Sequence, residues 1–287
     1  MHPEIVSIGP FTLHSFGAMM ALGFVASWFV LDRLEKRFHV MPGKLDVSSY
    51  IMWLVLAGVA GARLCHVAEY WRQERFAAAP LRIFAVWEGG LVFYGGLAGA
   101  MCAFFAIWAA HRRERTIRDL ADFTLAALPF GHAFGRLGCF LNGCCFGRLA
   151  TGRWEPFGVS FPPLSPASFE QASAGLIRNA AEPSLPVVPS QLFEAAWLFV
   201  LGALLVAAYV KTKRAGTRPG LVTGLYFCGY ALFRFFIEYT RGDDRPEAAS
   251  LSSAQIFSIV LFVLGLAFAA RAFAGKRTAP EKEGAGT

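Results

Sequence analysis

The sequence predicts an all-α membrane protein with about seven transmembrane helices, an N-terminus outside, a C-terminus in the cytoplasm and a small extracytoplasmic insertion. Three observations support this fold class. Hydrophobic residues make up 55% of the 287 residues and charged residues only 16%, whereas soluble domains carry about 25% charged residues. Apolar runs of spanning length recur along the chain. Basic residues cluster in the segments between those runs, which indicates membrane topology.

Seven apolar runs predict the helices, near 15–31, 50–68, 91–110, 119–138, 192–210, 221–240 and 254–274. The fourth run fits a membrane span least well, because it carries Asp119, Asp122, His132 and Arg136. No removable signal peptide is expected, because the first 14 residues lack a basic region.

The predicted organisation has four parts: helices 1–4 in 1–147, a periplasmic head insertion in 148–189, helices 5–7 in 190–274 and a cytoplasmic tail in 275–287. The insertion is rich in Pro, Gly and Ser and is long enough for a small extramembrane domain. Within it, 158–162 is a candidate short strand.

The distribution of basic residues predicts the orientation. With the N-terminus outside, the inside segments are 32–49, 111–118, 211–219 and 271–287, which together carry 16 Lys and Arg. The outside segments carry 9. Because basic residues accumulate on the cytoplasmic side, we expect the insertion outside, in a multi-pass protein of the bacterial cytoplasmic (inner) membrane. Topology also explains the net charge of +7, so no nucleic-acid partner is expected.

Four stretches contain glycines and polar residues that a plain spanning helix does not need: 87–100, 134–147, 188–195 and 234–244. Each has a structural interpretation as well as a functional one. Glycines allow close helix packing, and a lone arginine can extend toward the interface. Ser190 can cap the fifth helix, and Arg234 with Glu238 can form an ion pair at i, i+4.

The arginines support a functional interpretation. In the predicted topology Arg63, Arg136 and Arg234 all lie toward the outer ends of their helices, with Glu194 and Glu238 nearby. A buried guanidinium must be paired or must hold an anion, and its planar fork suits phosphate. We therefore expect one cavity in the outer leaflet that binds the head of an anionic phospholipid.

Together the four stretches resemble the prolipoprotein diacylglyceryl transferase family. Four motifs match, at 95–99 (Gly-Gly-Leu-x-Gly), 135–143 (Gly-Arg-x-Gly-x-Phe-x-Asn-Gly), 189–194 (Pro-Ser-Gln-Leu-Phe-Glu) and 234–241 (Arg-x-x-x-Glu-x-x-Arg). The ordered matches run from about His14 to Asp244, which is most of the chain.

The resemblance implies an enzyme that moves the diacylglyceryl group of phosphatidylglycerol to the lipobox cysteine of preprolipoprotein signal peptides, with glycerol phosphate released. It implies no cofactor or metal and leaves the oligomeric state open. The implied catalytic residues are Arg136, Arg234, Glu238 and Tyr94. The implied substrate contacts are Arg63, Gly95, Gly96, Arg136, Gly138, Asn142, Gly143, Gly147, Gln191, Glu194 and Arg241.

The chain departs from the family pattern where the acceptor thiol would be activated. Tyr94 stands where the family has the histidine assigned as the base, and tyrosine is a poor base at neutral pH. Either Glu238 or a phosphate oxygen takes its place, or the family histidine is not an obligatory base. Other departures are Phe16-Gly17 for Tyr-Gly, Cys139 for Asn, Cys144 for Glu and Val188 for His.

Three cysteines, Cys139, Cys144 and Cys145, lie within seven residues. Their spacing fits no common zinc motif. Packing thiols at a glycine-rich turn and a disulfide in an oxidising compartment both remain open.

Two further functions also remain open. One is a transporter or lipid-binding protein with an arginine-lined anion site. The other is a divergent paralogue of the transferase that uses another acceptor or redox chemistry.

Overall fold

The computed structural model describes residues 4–8, 11–74, 76–216, 218–241, 247–248 and 251–275. Two short strand pairs lie in this part of the chain, β1 (Glu4–Ile8) with β2 (Phe11–His14), and β3 (Glu247–Ala248) with β4 (Leu251–Ser252). The α-helices are α1 (Ser15–Phe38), α2 (Val47–Glu69), α3 (Phe93–Ala110), α4 (Ile117–Asn142), α5 (Pro166–Ser173), α6 (Ser190–Arg214), α7 (Leu221–Ile237) and α8 (Ser253–Ala274). Most of the predicted tail, 276–287, lies outside the described residues.

Six of the described helices are long and apolar enough to cross a membrane: α1, α2, α3, α6, α7 with the turn that follows it, and α8. This confirms the helical membrane class. All seven apolar runs fall in long helices, since α4 occupies the position of the fourth run. However, α4 is not among the six candidate spans. The count of seven and the orientation of the termini therefore stay predictions.

The chain forms two compact units, one made of Met1–Phe38 with Ala121–Thr287 and the other of His39–Leu120. These boundaries differ in kind from the predicted four-part division, because they follow packing and not membrane topology. The four-part division stays a prediction.

In the His39–Leu120 unit, α2 packs against α3 through glycines. A Cβ atom on Gly99 would lie 2.2 Å from the Ala57 carbonyl oxygen, and one on Gly61 would lie 2.4 Å from that of Gly95. Only hydrogen atoms fit in such contacts, so the two backbones approach as closely as small residues allow. Asp46 caps α2 by accepting the Ser49 backbone N–H at 3.0 Å, and its hydrogen bonds with Ser49 lower the pKa of this carboxyl.

In the larger unit, a buried carboxylate fixes the start of α7. Asp122 on α4 accepts hydrogen bonds from the backbone N–H groups of Gly220 and Thr223 and from the Thr223 hydroxyl, each at 2.7 Å. The first N–H groups of a helix lack partners within the helix. Asp122 supplies the missing acceptors from a distant part of the sequence, and it thereby connects α7 to α4.

The insertion at 148–189 is mostly irregular and packs on the end of α4. Phe161, Ala167 and Val187 form its buried core, with Phe140 and Phe146 packed beside them. The expected strand at 158–162 is wrong, because Val159 makes only an isolated bridge, to Val187. The insertion is therefore held together by its small core, which includes several phenylalanines, and not by a β-sheet.

Candidate active site

Backbone hydrogen bonds bring three of the four glycine-rich and polar stretches together within the larger unit. Gly147 donates to the Val188 carbonyl at 2.8 Å, and Arg148 donates to that of Thr240 at 2.7 Å. A Cβ atom on Gly147 would lie 2.6 Å from the Thr240 carbonyl oxygen. The stretches 134–147, 188–195 and 234–241 therefore meet where α4 ends, α6 begins and α7 ends.

Arg136 on α4 pairs with Glu194 on α6. Its Nη2 atom lies 3.0 Å from Glu194 Oε1, and Glu194 is only 3% exposed. His132, one turn earlier on α4, places Nε2 at 3.7 Å from the same carboxylate oxygen. Both partners come from one face of α4, and Arg136 offsets the charge of the buried carboxylate. Glu194 Oε1 has no hydrogen-bond partner in the described part of the chain, so its interaction with α4 is an ion pair.

Arg234 on α7 forms the second pair, with Glu238. Its Nη1 atom donates to Glu238 Oε2 at 2.6 Å, and both side chains are largely buried. The Ser252 hydroxyl donates to the other carboxylate oxygen at 2.7 Å. The predicted i, i+4 pair is confirmed, and both oxygens of Glu238 are engaged.

His132 and Tyr230 connect the two arginines. Each of these rings interacts electrostatically with Arg136, Arg234 and Glu194, and the two rings lie 5.6 Å apart. We call the five residues His132, Arg136, Glu194, Tyr230 and Arg234 the arginine cluster. Arg136 and Arg234 therefore both act electrostatically on the same two rings. That the two arginines bind one ligand together stays a prediction.

Sequence reasoning missed His132 and Tyr230 as site residues. A signal was present, because each ring lies four residues before an arginine, His132 before Arg136 and Tyr230 before Arg234. Residues four apart share one helix face. A search of the arginine-bearing faces of α4 and α7 would have found both rings.

The cluster has donor capacity left for a ligand. Arg136 Nε is buried and has no hydrogen-bond partner in the described part of the chain. A buried guanidinium N–H without a partner costs about 1–3 kcal/mol. An anionic oxygen placed beside Arg136 would remove that cost.

The amide of Gln191 anchors the turn after α4. Gln191 is 1% exposed and donates from Nε2 to the Cys144 carbonyl at 2.7 Å. Ser190 donates to the Cys145 carbonyl at 3.2 Å. The expected cap by Ser190 is wrong, because Pro189 is the N-cap and Ser190 begins α6.

The other residues predicted in the Phe134–Gly147 stretch shape its backbone. Gly138 packs on Phe16 and Met19 of α1, and Gly143 has φ +75° at the turn. Asn142 ends α4. Arg241 follows the turn after α7, where its N–H donates to the Glu238 carbonyl at 3.0 Å. Direct substrate contacts by these residues stay predictions.

Arg63 lies in the other unit and is held by backbone. It is 5% exposed, and its guanidinium donates to the carbonyls of Arg82, Ile83, Gly89 and Gly90 at 2.5–3.3 Å. These bonds fix the segment that leads into α3. The geometry favours this positioning role, and convergence with the other arginines stays a prediction.

Tyr94, Gly95 and Gly96 begin α3 and have different surroundings. Tyr94 is 78% exposed. Gly95 is packed against α2, where a Cβ atom would lie 2.4 Å from Cys65 Cβ, whereas one on Gly96 would make only ordinary contact, 3.4 Å from the Gly58 carbonyl oxygen. The structure thus gives Gly95 a packing role that the sequence could not separate from binding.

Six apolar spans and a buried cluster of paired arginines define a multi-pass helical membrane protein with a polar site made by α4, α6 and α7. The model of the family described as prolipoprotein diacylglyceryl transferase matches residues 3–271. The chain belongs to this family.

Relatives named phosphatidylglycerol--prolipoprotein diacylglyceryl transferase are similar to the chain over almost its whole length. The protein of Proteus mirabilis is 32% identical over 97% of this chain and 94% of its own. That of Vibrio parahaemolyticus is 34% identical over 92% and 88%, and that of Rhizobium leguminosarum is 31% identical over 92% and 89%.

Proposed function

We propose that this protein transfers the diacylglyceryl group of phosphatidylglycerol to the lipobox cysteine of preprolipoproteins and releases glycerol phosphate. One observation carries the proposal beyond family membership. Two buried guanidiniums, each paired with a carboxylate, belong to one cluster around His132 and Tyr230. Such a cluster is suited to a phosphate group whose charge increases during reaction.

The arginines would act on the leaving group. The sulfur attacks a glyceryl carbon, a C–S bond forms, and the C–O bond to phosphate breaks with its electron pair going to the phosphate. Negative charge therefore grows on the phosphate oxygens. Arg136 offers its Nε–H there, and Arg234 offers the donors that its pairing with Glu238 leaves over. Ser252 fixes Glu238 by donating to its other oxygen. Charge-assisted hydrogen bonds are the strong ones in a buried site.

The acceptor thiol must lose a proton, because the thiolate is the nucleophile. Glu238 is a poor choice, since both of its oxygens already accept hydrogen bonds. We assign this role to His132, the imidazole of the arginine cluster, with the Glu194 carboxylate, 3.7 Å from Nε2, stabilising the imidazolium that forms. Tyr94, 78% exposed, is not needed as a base in this scheme.

The location follows from the predicted topology. We place the arginine cluster toward the outer leaflet of the bacterial cytoplasmic membrane, where phosphatidylglycerol supplies the lipid and a signal peptide supplies the thiol. The two partners are then the lipid and the membrane-bound preprolipoprotein.

The test is a reconstituted reaction. Purified protein is incubated with phosphatidylglycerol and a lipobox peptide, and the lipidated peptide is detected by its mass. We expect product from the wild type, and a loss of about 100- to 1,000-fold or more in kcat for Arg136→Ala and for Arg234→Ala, the size found for removal of one charge-stabilising donor.

Arg178→Ala is the matched control, because Arg178 is an exposed arginine on the insertion. Its rate should equal that of the wild type. Near-normal rates for either cluster variant would refute the phosphate role. Wild-type protein that binds the lipid without forming product would indicate a lipid-binding protein or a paralogue with another acceptor.

A further inference from the structure

Three thiols lie together beside the arginine cluster. The Sγ atoms of Cys139, Cys144 and Cys145 are all within 4.8 Å of one another. No disulfide joins them, and each is a free thiol. The sequence showed that they are close along the chain, but it could not show that the three sulfurs converge.

The turn after α4 produces this convergence. Gly143 has φ +75° and Cys145 has φ +60°, a left-handed conformation that a residue with a side chain adopts only rarely. The Cys144 N–H donates to the Cys139 carbonyl at 3.1 Å, which folds the chain back on the last turn of α4. Gln191 and Ser190 then hold the carbonyls of Cys144 and Cys145, so the turn is fixed from α6.

The spacing of the sulfurs suits a metal ion better than a disulfide. Thiolates bound to one zinc at about 2.3 Å lie about 3.8–4.0 Å apart in tetrahedral or trigonal geometry. The separations here, at most 4.8 Å, approach that value with small side-chain shifts. A disulfide instead requires one pair to close to about 2.05 Å and leaves the third sulfur unused.

Two arginines lie electrostatically close to the three sulfurs. Arg136 interacts electrostatically with Cys139 and Cys145, and Arg241 interacts with Cys145. Three thiolates and one divalent cation leave a net charge of −1, and these arginines offset it.

The donor set selects the ion. Among the described residues, no carboxylate or imidazole joins the three sulfurs in this group. Soft thiolate ligands select Zn²⁺ or Cu⁺ over Mg²⁺ or Ca²⁺. Cys145 is exposed, so the site is open on one side, and a water molecule or another ligand can complete a tetrahedral zinc.

We propose that Cys139, Cys144 and Cys145 form a three-thiolate site for one soft, thiophilic cation of the zinc class, with an open fourth position. This site is separate from the proposed transfer reaction and does not depend on it. It differs from the family resemblance, which implies no metal, and from the packing thiols and the disulfide that the sequence left open.

The test uses the full chain, purified in detergent under reducing conditions and treated with a chelator. Zn²⁺ binding is measured by equilibrium dialysis with elemental analysis, and Cd²⁺ is titrated while its thiolate charge-transfer absorption is recorded. We expect one equivalent of metal per chain. Cys139→Ser, Cys144→Ser and Cys145→Ser should each weaken binding by about 100-fold or more, since even outer-shell partners of a metal site are worth about 10- to 100-fold.

Cys102→Ser is the matched control, because Cys102 is an exposed free thiol on α3 and not one of the three. It should bind metal as the wild type does. Melting temperatures of all variants show whether each is folded. Folded cluster variants that keep full binding, or a wild type that binds no stoichiometric Zn²⁺, would overturn the proposal. A count of four free thiols, with a disulfide mapped to Cys139 in the untreated protein, would replace it with a redox pair.

Discussion

Two largely buried arginines, Arg63 and Arg136, differ in their hydrogen-bond partners. Arg63 is saturated by backbone carbonyls, whereas Arg136 has one carboxylate partner and a buried Nε without one in the described chain. A buried charge is stable only when it is paired and hydrogen-bonded. The guanidinium of Arg63 has its hydrogen-bond partners within the protein and holds a loop. The guanidinium of Arg136 has a donor left over, which suits it to a ligand.

The assignment of His132 as the proton acceptor gives a prediction at the residue scale. His132→Ala should lower kcat by about 100-fold or more, within the usual range of 10²–10⁴ for loss of a general base, with little change in KM for the lipid. Added imidazole should restore part of the rate, because a small base can enter the space left by the side chain. Rates are followed by mass detection of the lipidated peptide.

His111→Ala serves as the control for His132, since His111 lies at the end of α3 in the other unit. It should be fully active and insensitive to imidazole. If His132→Ala lost activity but imidazole restored none at any concentration, while the lipid KM rose sharply, the residue would be a packing or binding element and not a base.

Gly95 and Gly96 are adjacent at the start of α3, but only Gly95 is packed tightly against α2. Alanine substitutions at the two positions therefore distinguish a role in helix packing from a role in catalysis. Gly95→Ala should destabilise the protein by about 1–3 kcal/mol, the cost of overpacking, because its Cβ atom would meet Cys65 and the Gly61 carbonyl at 2.4 and 2.5 Å. Gly96→Ala should leave the melting temperature unchanged, since its new atom makes ordinary contacts at 3.4–3.5 Å. Thermal unfolding in detergent checks both.

Activity of the Gly96→Ala variant adds a second result. If Gly96 contacts substrate, as the family resemblance implies, this stable variant should lose activity. Full activity would leave Gly96 with no role beyond helix packing. An equal loss of stability in both variants would contradict the packing geometry.

The junction between α4 and α7 depends on one carboxylate. Asp122→Ala removes the acceptor for the N–H groups of Gly220 and Thr223 and for the Thr223 hydroxyl. Each buried donor left without a partner costs about 1–3 kcal/mol, so a clear fall in melting temperature is expected. Asp122→Asn keeps one acceptor oxygen and should be milder. Equal melting temperatures for the wild type and Asp122→Ala would show that water replaces the carboxylate.

Whether α4 crosses the membrane decides whether the protein has an odd or an even number of membrane spans. Seven spans place the termini on opposite sides, and six place them on the same side. We expect seven, so a tag at the N-terminus should be cleaved by protease added to intact spheroplasts, while a tag at the C-terminus should be protected. Cleavage of both tags, or of neither, would show an even number of spans and would remove α4 from the count.

The sequence predicted the elements well because lipid imposes a simple rule. A spanning helix must be a long apolar run, and all seven runs fall in long helices. The motifs with Arg136 and Arg234 were also visible, since charges in such runs are conspicuous. The strand at 158–162 and the cap by Ser190 failed because both depend on partners distant in sequence. These are Val187 for the first and the turn at Cys145 for the second.

The sequence by itself determined the membrane class, the positions of the helices, the family and the arginine pair Arg234–Glu238, because apolar length, motif order and i, i+4 spacing are local properties of the chain. Only the tertiary structure decided which charged and polar groups pair with one another. It paired Arg136 with Glu194 from another helix, brought His132 and Tyr230 into the same cluster, turned Arg63 toward backbone carbonyls, and gathered three thiols at one turn. Burial makes each polar group find a partner, and which partner it finds is set by how the helices pack.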